Sequence, residues 1–366
     1  MRQVYPAPRR RKRLLPKVLL GLLAVVVLLI GVIALYVNNL LNKIEYEDEF
    51  TVPTISGAVT DEHNNLIIPE LDPADHDALP TEYAPLSDSD LAIIAEDVLA
   101  ASEDDTELMS DSNVINIMLI GTDNRERGQY RLSDSMILLS INRSKGKIVM
   151  TSLMRDIYAH IPGRGNTKLN AAVAVGGPNL LLQTVRNTFK IDVQQYMMVD
   201  FYSLAEIIDV LGGISINVSA AEVSEINKHV RQFAPGRELL SGSGQMLLNG
   251  PQAVGYARIR KVGHADFQRT ERQRTVLTQI INKTKSSSVA TLNNLLNSIL
   301  PRIQTNISKG TFLEYLTIAP TVLNYQVSQL RIPAQGAYTG ASFPGIGDSL
   351  VIDINKAREA LFSSIY

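Results

Sequence analysis

Twenty residues, Val18 to Val37, run without one charge (VLLGLLAVVVLLIGVIALYV), directly behind Arg9-Arg10-Arg11-Lys12-Arg13 and Lys17. At ~1.5 Å of rise per residue the run makes a helix of about 30 Å, the thickness of a bilayer core. Basic residues before it and acidic residues after it place the N-terminus in the cytoplasm and everything beyond about residue 40 outside. A cleaved signal peptide fits less well. Its apolar stretch spans ~7–15 residues and ends at a small-x-small site, and no such site follows here. The run predicts a retained single-pass anchor in the cell membrane.

The net charge of −2 conceals three segments. Residues 1–43 carry eight Lys/Arg and no acid; residues 44–112 carry twenty Asp/Glu and no Lys or Arg; the remainder carries 27 Lys/Arg against 17 Asp/Glu. The division expected is a basic tail (1–17), a membrane helix (18–37), an acidic spacer (38–112) and a catalytic domain (113–366). The spacer is broken by Pro53, Pro69, Pro73, Pro80 and Pro85, and like charges extend it; the alternative is an acidic arm that folds back onto the basic domain and occupies its cleft. It holds one expected helix, capped by Asp88 or Ser89, with Leu91, Ile94, Ala95 and Val98 on one face. About 17 residues before the membrane are too few for a DNA-binding fold, so no nucleic-acid partner is expected.

Beyond Asn113, apolar β-branched runs alternate with helical periods. Strands are expected at Val114–Ile120, Ser135–Ile141, Lys147–Met154, Tyr196–Asp200, Ile214–Val218 and Gln326–Ile332. Helices are expected at Thr167–Phe189 (interrupted near Gly176-Gly177-Pro178), Ser203–Leu211, Gln268–Lys285, Val289–Leu300 and Phe312–Asn324. Asp353 caps a last one, Ile354–Phe362. Such alternation implies an α/β layered domain.

The chain has no Cys and only five His, and no HExxH pattern, which leaves carboxylate and guanidinium chemistry, suited to a hard cation and phosphate oxygens. These groups fall in short clusters: Asp123 and Arg125, Asp134, Arg155 and Asp156, Arg258 and Arg260, then Arg269, Arg272 and Gln273. The tight turn after Ile141 pairs the second and third strands as a hairpin, so Asp134 and Arg155–Asp156 share a sheet edge. Asp123 joins them if the first strand lies alongside. Arg258 and Arg260, two apart, point the same way in an extended segment; Arg269, Arg272 and Gln273 share a helical face. A pyrophosphate would neutralise the guanidinium groups through bidentate bonds. The competing reading is ordinary ion pairing, for example Arg155 or Arg272 with Asp266 or Glu271.

With these clusters in place, the chain resembles the LytR-CpsA-Psr (LCP) family of cell-wall glycopolymer transferases. The resemblance runs through NIMLIGTDNR (116–125), LSDSMILLSIN (132–142), SLMRD (152–156), KLNAAVAVGGP (168–178), VDF (199–201), DVLGGISINV (209–218), LLNGPQAVGYARIR (247–260) and DFQRTERQ (266–273). It implies an α/β/α domain with a central mixed sheet, and transfer of a glycopolymer from a polyprenyl-pyrophosphate carrier to peptidoglycan. The polymer would be teichoic acid, capsule or another polysaccharide. By motif, Asp123 and Asp134 would hold Mg²⁺ (or Mn²⁺), and Arg155, Arg258, Arg260, Arg269 and Gln273 the pyrophosphate, with Arg125 in the same cluster. Asp123, Asp134 and Arg155 would be catalytic. Leu132 stands where many members have Arg. Met154 replaces a usual Pro, which is expected to loosen the turn aiming Arg155, and Ile157 replaces a frequent Thr.

Phosphoryl transfer asks for positioning and charge neutralisation more than covalent help. The base is left open among Asp123, Asp134 and Asp156, with His160, His229 and His264 as further candidates. Apolar segments 207–211 and 276–281 serve equally as lipid-tunnel lining or core. Two rivals keep the arginines: a polyprenyl-pyrophosphate hydrolase using water, and a non-catalytic receptor for lipid-linked or wall polymer, which would not need both carboxylates.

Overall fold

The computed structural model describes residues 35–46, 59–60, 66–67, 86–122, 130–263 and 265–366. It divides into Met1–Ile44 and Glu45–Tyr366. In the first unit residues 35–41 are helical. Residues 18–34 of the apolar run lie outside the described residues, among which no helix is long and apolar enough to cross a membrane.

The second unit contains strands β1 (Glu45–Tyr46), β2 (Val59–Thr60), β3 (Leu66–Ile67), β4 (Val114–Thr122), β5 (Ser133–Asn142), β6 (Lys147–Leu153), β7 (Tyr158–Ile161), β8 (Gly165–Lys168), β9 (Gln195–Asp200), β10 (Ile214–Val218), β11 (Gly244–Leu248), β12 (Gln304–Thr305), β13 (Gln326–Ile332), β14 (Tyr338–Phe343) and β15 (Gly347–Ile352). Its helices are α1 (Asp88–Glu103), α2 (Ala171–Phe189), α3 (Phe201–Val210), α4 (Ala220–Phe233), α5 (Gly250–Ala257), α6 (Ala265–Lys285), α7 (Val289–Ile299), α8 (Lys309–Val322) and α9 (Ile354–Ile365).

Seven strands form one mixed sheet, ordered β1-β12-β9-β4-β5-β6-β13. Strands β4, β5 and β6 are consecutively antiparallel, while β9 runs parallel to β4 and β13 parallel to β6. Side chains alternate between two apolar faces, as a sheet covered on both sides requires. Met118, Ile120, Met136, Leu138, Val149 and Leu153 point to a core shared with α2 and α9. Leu119, Ile137, Leu139, Ile148 and Met150 point the other way, against Leu277 and Ile281 of α6 and Val322 of α8. The result is the expected α/β/α layering around a mixed sheet.

Helix α2 begins at Ala171, not Thr167, because Thr167 belongs to β8 and pairs with Ala159. The interruption falls where expected: Gly176 and Gly177 leave helical geometry, and Gly177 has φ +73°. A Cβ on Gly177 would also sit 3.0 Å from the Tyr130 ring, so this position needs glycine for both reasons.

The end of the acidic segment is folded into the domain and is not a solvated spacer. Helix α1 starts from Ser87, whose side chain and that of Asp90 form a capping box. Leu91, with Ile94 and Val98, packs on Tyr158, Ala341, Phe343 and Ile346. Its last carbonyls are met by cations. Lys190 Nζ donates to Ser102 and Asp104, and Arg358 donates to Ala101 O and the Asp104 carboxylate. Cations at a helix C-terminus also answer its dipole. Residues 86–112 are therefore part of the fold, as is β1 at Glu45–Tyr46, which pairs with β12 in the main sheet.

Candidate active site at the carboxyl edge of the sheet

The strand register gathers the chemistry. Thr122, the last residue of β4, pairs with Ser133 at the start of β5 and with Asp200 at the end of β9. Leu153, ending β6, pairs with Ile332, ending β13. Four strand ends and the start of β5 therefore meet along one edge, where open α/β sheets bind ligands. Asp134 stands at the head of β5, and Arg155 and Asp156 follow β6. The first turns of α6 bring Asp266, Arg269 and Gln273 against them. Asp123 and Arg125 lie outside the described residues, as does His264.

Asp266 is the hub of this cluster. Its carboxylate takes Arg155 Nε at 2.8 Å, Arg269 Nη2 at 3.2 Å and Arg260 Nε at 3.6 Å. Burial alone would raise its pKa; the guanidinium groups of Arg269, Arg155 and Arg260 outweigh this and hold it well below the usual carboxylate range. Asp156 is also buried, with Lys168 Nζ at 3.1 Å and Arg155 Nε at 3.2 Å. Arg269 is 3% exposed. Burial, then the charge of Arg155, push its guanidinium down to about 10. Its Nε has no hydrogen-bond partner among the described residues. An N–H so buried and unmet is costly unless a ligand oxygen accepts it.

Asp134 is held more loosely. Arg260 Nη2 lies 3.4 Å and Arg269 Nη1 3.7 Å from its carboxylate, whose side chain is 21% exposed. Its backbone is fixed from two sides. Gln273 Nε2 donates to its carbonyl at 3.3 Å, and the preceding Ser133 N donates to Asn170 O. Asn170 N donates in turn to Arg155 O. The 168–178 segment thus ties the head of β5 to the turn carrying Arg155. That turn is not loosened by Met154, which is fully buried in the core and donates its N–H to Ile332 O.

Among the described residues, no three His, Cys, Asp or Glu gather as a metal cage. Asp156 and Asp266 are committed to cations, which leaves Asp134 with donor capacity facing water. One or two carboxylates plus phosphate oxygens suit Mg²⁺. Of the two expected metal ligands, Asp134 alone lies among the described residues, and its partly exposed carboxylate suits such a role.

Three residues of the expected clusters make contacts of another kind. Arg258 is not in an extended segment; it caps the C-terminus of α5 in helical geometry. Its guanidinium lies over the Phe201 ring, 4.8 Å from the centroid, so it does not form a parallel clamp with Arg260. Arg272 leaves the shared face altogether. It pairs with Glu222 at 2.8 Å and donates to the carbonyls of Ile259 and Val262, a structural bond to α4. Gln273 spends its amide N–H on Asp134 rather than facing outward. Ion pairing of Arg155 with Asp266, the competing reading, is present, and it lies inside the cluster rather than replacing it. Segments 207–211 and 276–281 supply Ile208 and Val276 to a core with β10, α4 and α5.

Of the described histidines, neither His160 nor His229 is placed as a base. His160 is buried in β7, with Nδ1 2.7 Å from Asn166 Oδ1, and Asn166 reaches back to Ala95 O of α1. His229 is held near 4 by burial and then by Arg258, Lys228 and Arg260. Its neutral form belongs to the folded state, so the unfolded chain binds the proton first, near ~6.5. Folding stability is therefore full above that value and falls as the pH drops towards 4. In His229→Gln, urea unfolding midpoints should be flat over this window; an unchanged slope would rule out His229 as the source.

The profile of the LytR_cpsA_psr family matches residues 89–357. The chain belongs to that family. Among LytR_cpsA_psr relatives, the polyisoprenyl-teichoic acid–peptidoglycan teichoic acid transferase TagU of Oceanobacillus iheyensis is 34% identical over 219 residues, 58% of this chain and 64% of that protein. The chain thus spans somewhat under two thirds of TagU. Regulatory protein MsrR of Staphylococcus aureus is 32% identical over 252 residues, 68% of this chain and 73% of that one. TagT bound to LI-WTA superposes with a TM-score of 0.57 at 23% identity, over 72% of this chain and 93% of TagT. TagT with bound octaprenyl pyrophosphate lipid gives 0.54 at 22%, over 72% and 94%. At these identities the structural likeness speaks for the fold.

Proposed function

We propose that this chain moves a glycopolymer phosphate from a polyprenyl-pyrophosphate carrier to a hydroxyl of peptidoglycan. The observation that carries the reading is the guanidinium group at the sheet edge, buried Arg155 and Arg269 with partly buried Arg260, in which an Arg269 N–H is unmet by the described residues. TagU, named for such a transfer, and TagT, solved with a prenyl pyrophosphate, support it.

The acceptor oxygen attacks the sugar-side phosphorus in line; its bond to phosphorus forms as the bond to the bridging oxygen breaks, and polyprenyl phosphate leaves. Arg269, Arg260 and Arg155 receive the charge gathering on the phosphate oxygens, in a site where water is largely excluded. Asp266 keeps the three guanidinium groups aimed. Asp134, with Asp123, would hold Mg²⁺ or Mn²⁺, which supplies further charge neutralisation when bound. The hydroxyl proton passes to one of these two carboxylates, since Asp156 and Asp266 are already engaged. A single-pass anchor at 18–37, with the domain outside, keeps the enzyme beside a donor confined to the same membrane and so raises its effective concentration.

The test uses the full chain in vesicles, lipid-linked polymer and peptidoglycan oligomers, and follows both polymer–glycan product and released polyprenyl phosphate. Asp134→Asn should lower transfer by about 10²–10⁴-fold and leave the unfolding midpoint near wild type, because its ion pairs are long. Lipid phosphate release without polymer–glycan product would make the protein a hydrolase; binding without either product would make it a receptor.

A further inference from the structure

Two more arginines, Arg274 of α6 and Arg331 of β13, come close with only neutral partners: Ser152, which Arg274 reaches, is the strand-register partner of Arg331. Arg274 is 7% exposed. Its Nη1 donates to Ser152 Oγ at 2.7 Å and its Nε to Gln329 Oε1 at 3.0 Å. Arg331, on edge strand β13, donates from Nε to Pro333 O at 3.3 Å. Its guanidinium covers the Phe267 ring, 4.5 Å from the centroid. Among the described residues, no carboxylate oxygen lies within 4.0 Å of either guanidinium. Glu271 acts on both only from farther away, and its side chain is exposed. Burial and then the charge of Arg331 push Arg274 down to about 10.

Such a pair is costly as packing alone. Ser152 and Gln329 hold Arg274 in position but cannot neutralise it, and a buried cation is ordinarily paired. Arg272, on the same helix and equally buried, does have its carboxylate, Glu222. The contrast marks Arg274 and Arg331 as neighbouring guanidinium groups whose charge an oxyanion would answer with the bidentate bonds that such groups form.

We propose that Arg274 and Arg331 form a second anion site that takes a peptide carboxylate of the acceptor glycan. This rests on the transfer reading above. Five residues separate Arg269 from Arg274, about 7.5 Å of rise and a large turn about the helix axis. The diphosphate gripped at Arg269 does not extend to both. Ser152, which orients Arg274, lies on the same strand that delivers Arg155, so an acceptor anchored here is held beside the reacting centre. Peptide-bearing glycans carry carboxylates on flexible arms, and an anchor of this kind fixes one of them.

The test compares wild type, Arg331→Gln and Arg274→Gln with peptidoglycan oligomers whose peptide carboxylates are free or amidated. With free carboxylates, each variant should raise the acceptor KM by about 10- to 100-fold. The donor KM and the affinity for inorganic pyrophosphate should stay unchanged. Amidation should bring wild type to the level of the variants. Arg331 is partly exposed, so its variant reports even if Arg274→Gln folds poorly. An acceptor KM that does not move in Arg331→Gln, or a rise in donor KM instead, overturns the site. Wild type that transfers to no acceptor defeats the transfer reading itself, and is told apart from an active enzyme whose variants behave normally.

Discussion

Asp266→Ala should cost the domain about 3–5 kcal/mol of stability and abolish transfer in the same variant. The size follows from what the carboxylate does. It accepts from Arg155 at 2.8 Å and Arg269 at 3.2 Å, and lies 3.6 Å from Arg260. Arg155 and Arg269 are themselves buried. Removing Asp266 leaves them facing each other with little water to screen them, and the loose Asp134 cannot replace it at 3.4 and 3.7 Å. Asp266→Asn keeps the shape and one acceptor but loses the charge, so it should fall between wild type and Ala. The pH dependence gives a second signature. The folded-state pKa of Asp266 is depressed, so its contribution is complete above the unfolded value of ~4 and is lost as pH falls further. Urea unfolding of Asp266→Ala should lose that acid limb. A variant within about 1 kcal/mol of wild type, a typical surface-level change, would mean that the three arginines do not depend on this carboxylate.

The sheet and the edge were readable because near-continuous apolar, β-branched runs and a tight NRSKG turn leave little choice of pairing. β10 and β13 fall where the pattern puts them, and Asp353 caps α9 as expected. The hairpin argument that joined Asp134 to Arg155 holds because β5 and β6 are antiparallel neighbours. What escaped depends on tertiary contacts. Helix α5 carries Gly250 and Gly255, weak helix signals that exist for close approach: a Cβ on Gly250 would meet Ala205 O at 2.0 Å and one on Gly255 would meet Ile226 O at 3.0 Å. Once α5 is a helix, Arg258 is a cap and not half of an extended clamp. Arg272 left the expected face because Glu222 of the unrecognised α4 claimed it. Asp266 stood in the DFQRTERQ segment from the start, named only as an ordinary ion-pair partner. Its spacing of three before Arg269, one helical turn, was the signal that could have placed it at the centre. Helix α1 was foreseen, but the cations that hold its end were not, because Lys190 and Arg358 come from distant parts of the chain.

Arg269→Lys should lower turnover by about 10²–10³-fold while the domain stays folded. The side chain is 3% exposed and still charged at neutral pH, since burial and Arg155 bring it down only to about 10. A lysine ammonium can keep the ion pair with Asp266, which preserves most of the stability. It cannot offer a planar fork with Nη1 toward Asp134, Nη2 toward Asp266 and Nε left over for a phosphate oxygen. Arg269→Met separates the two contributions further. It removes the N–H that the protein leaves unmet together with the repulsion on Arg155, at the expense of one of the partners of Asp266. If Arg269 is retained for packing, Met should transfer nearly as well as wild type. If it is retained for the diphosphate, Met and Lys should both fail in turnover, and inorganic pyrophosphate should no longer raise the unfolding midpoint of either variant as it does for wild type. Transfer by Arg269→Met close to the wild-type rate would remove the central guanidinium from the chemistry, and with it the reason to place a diphosphate at this edge.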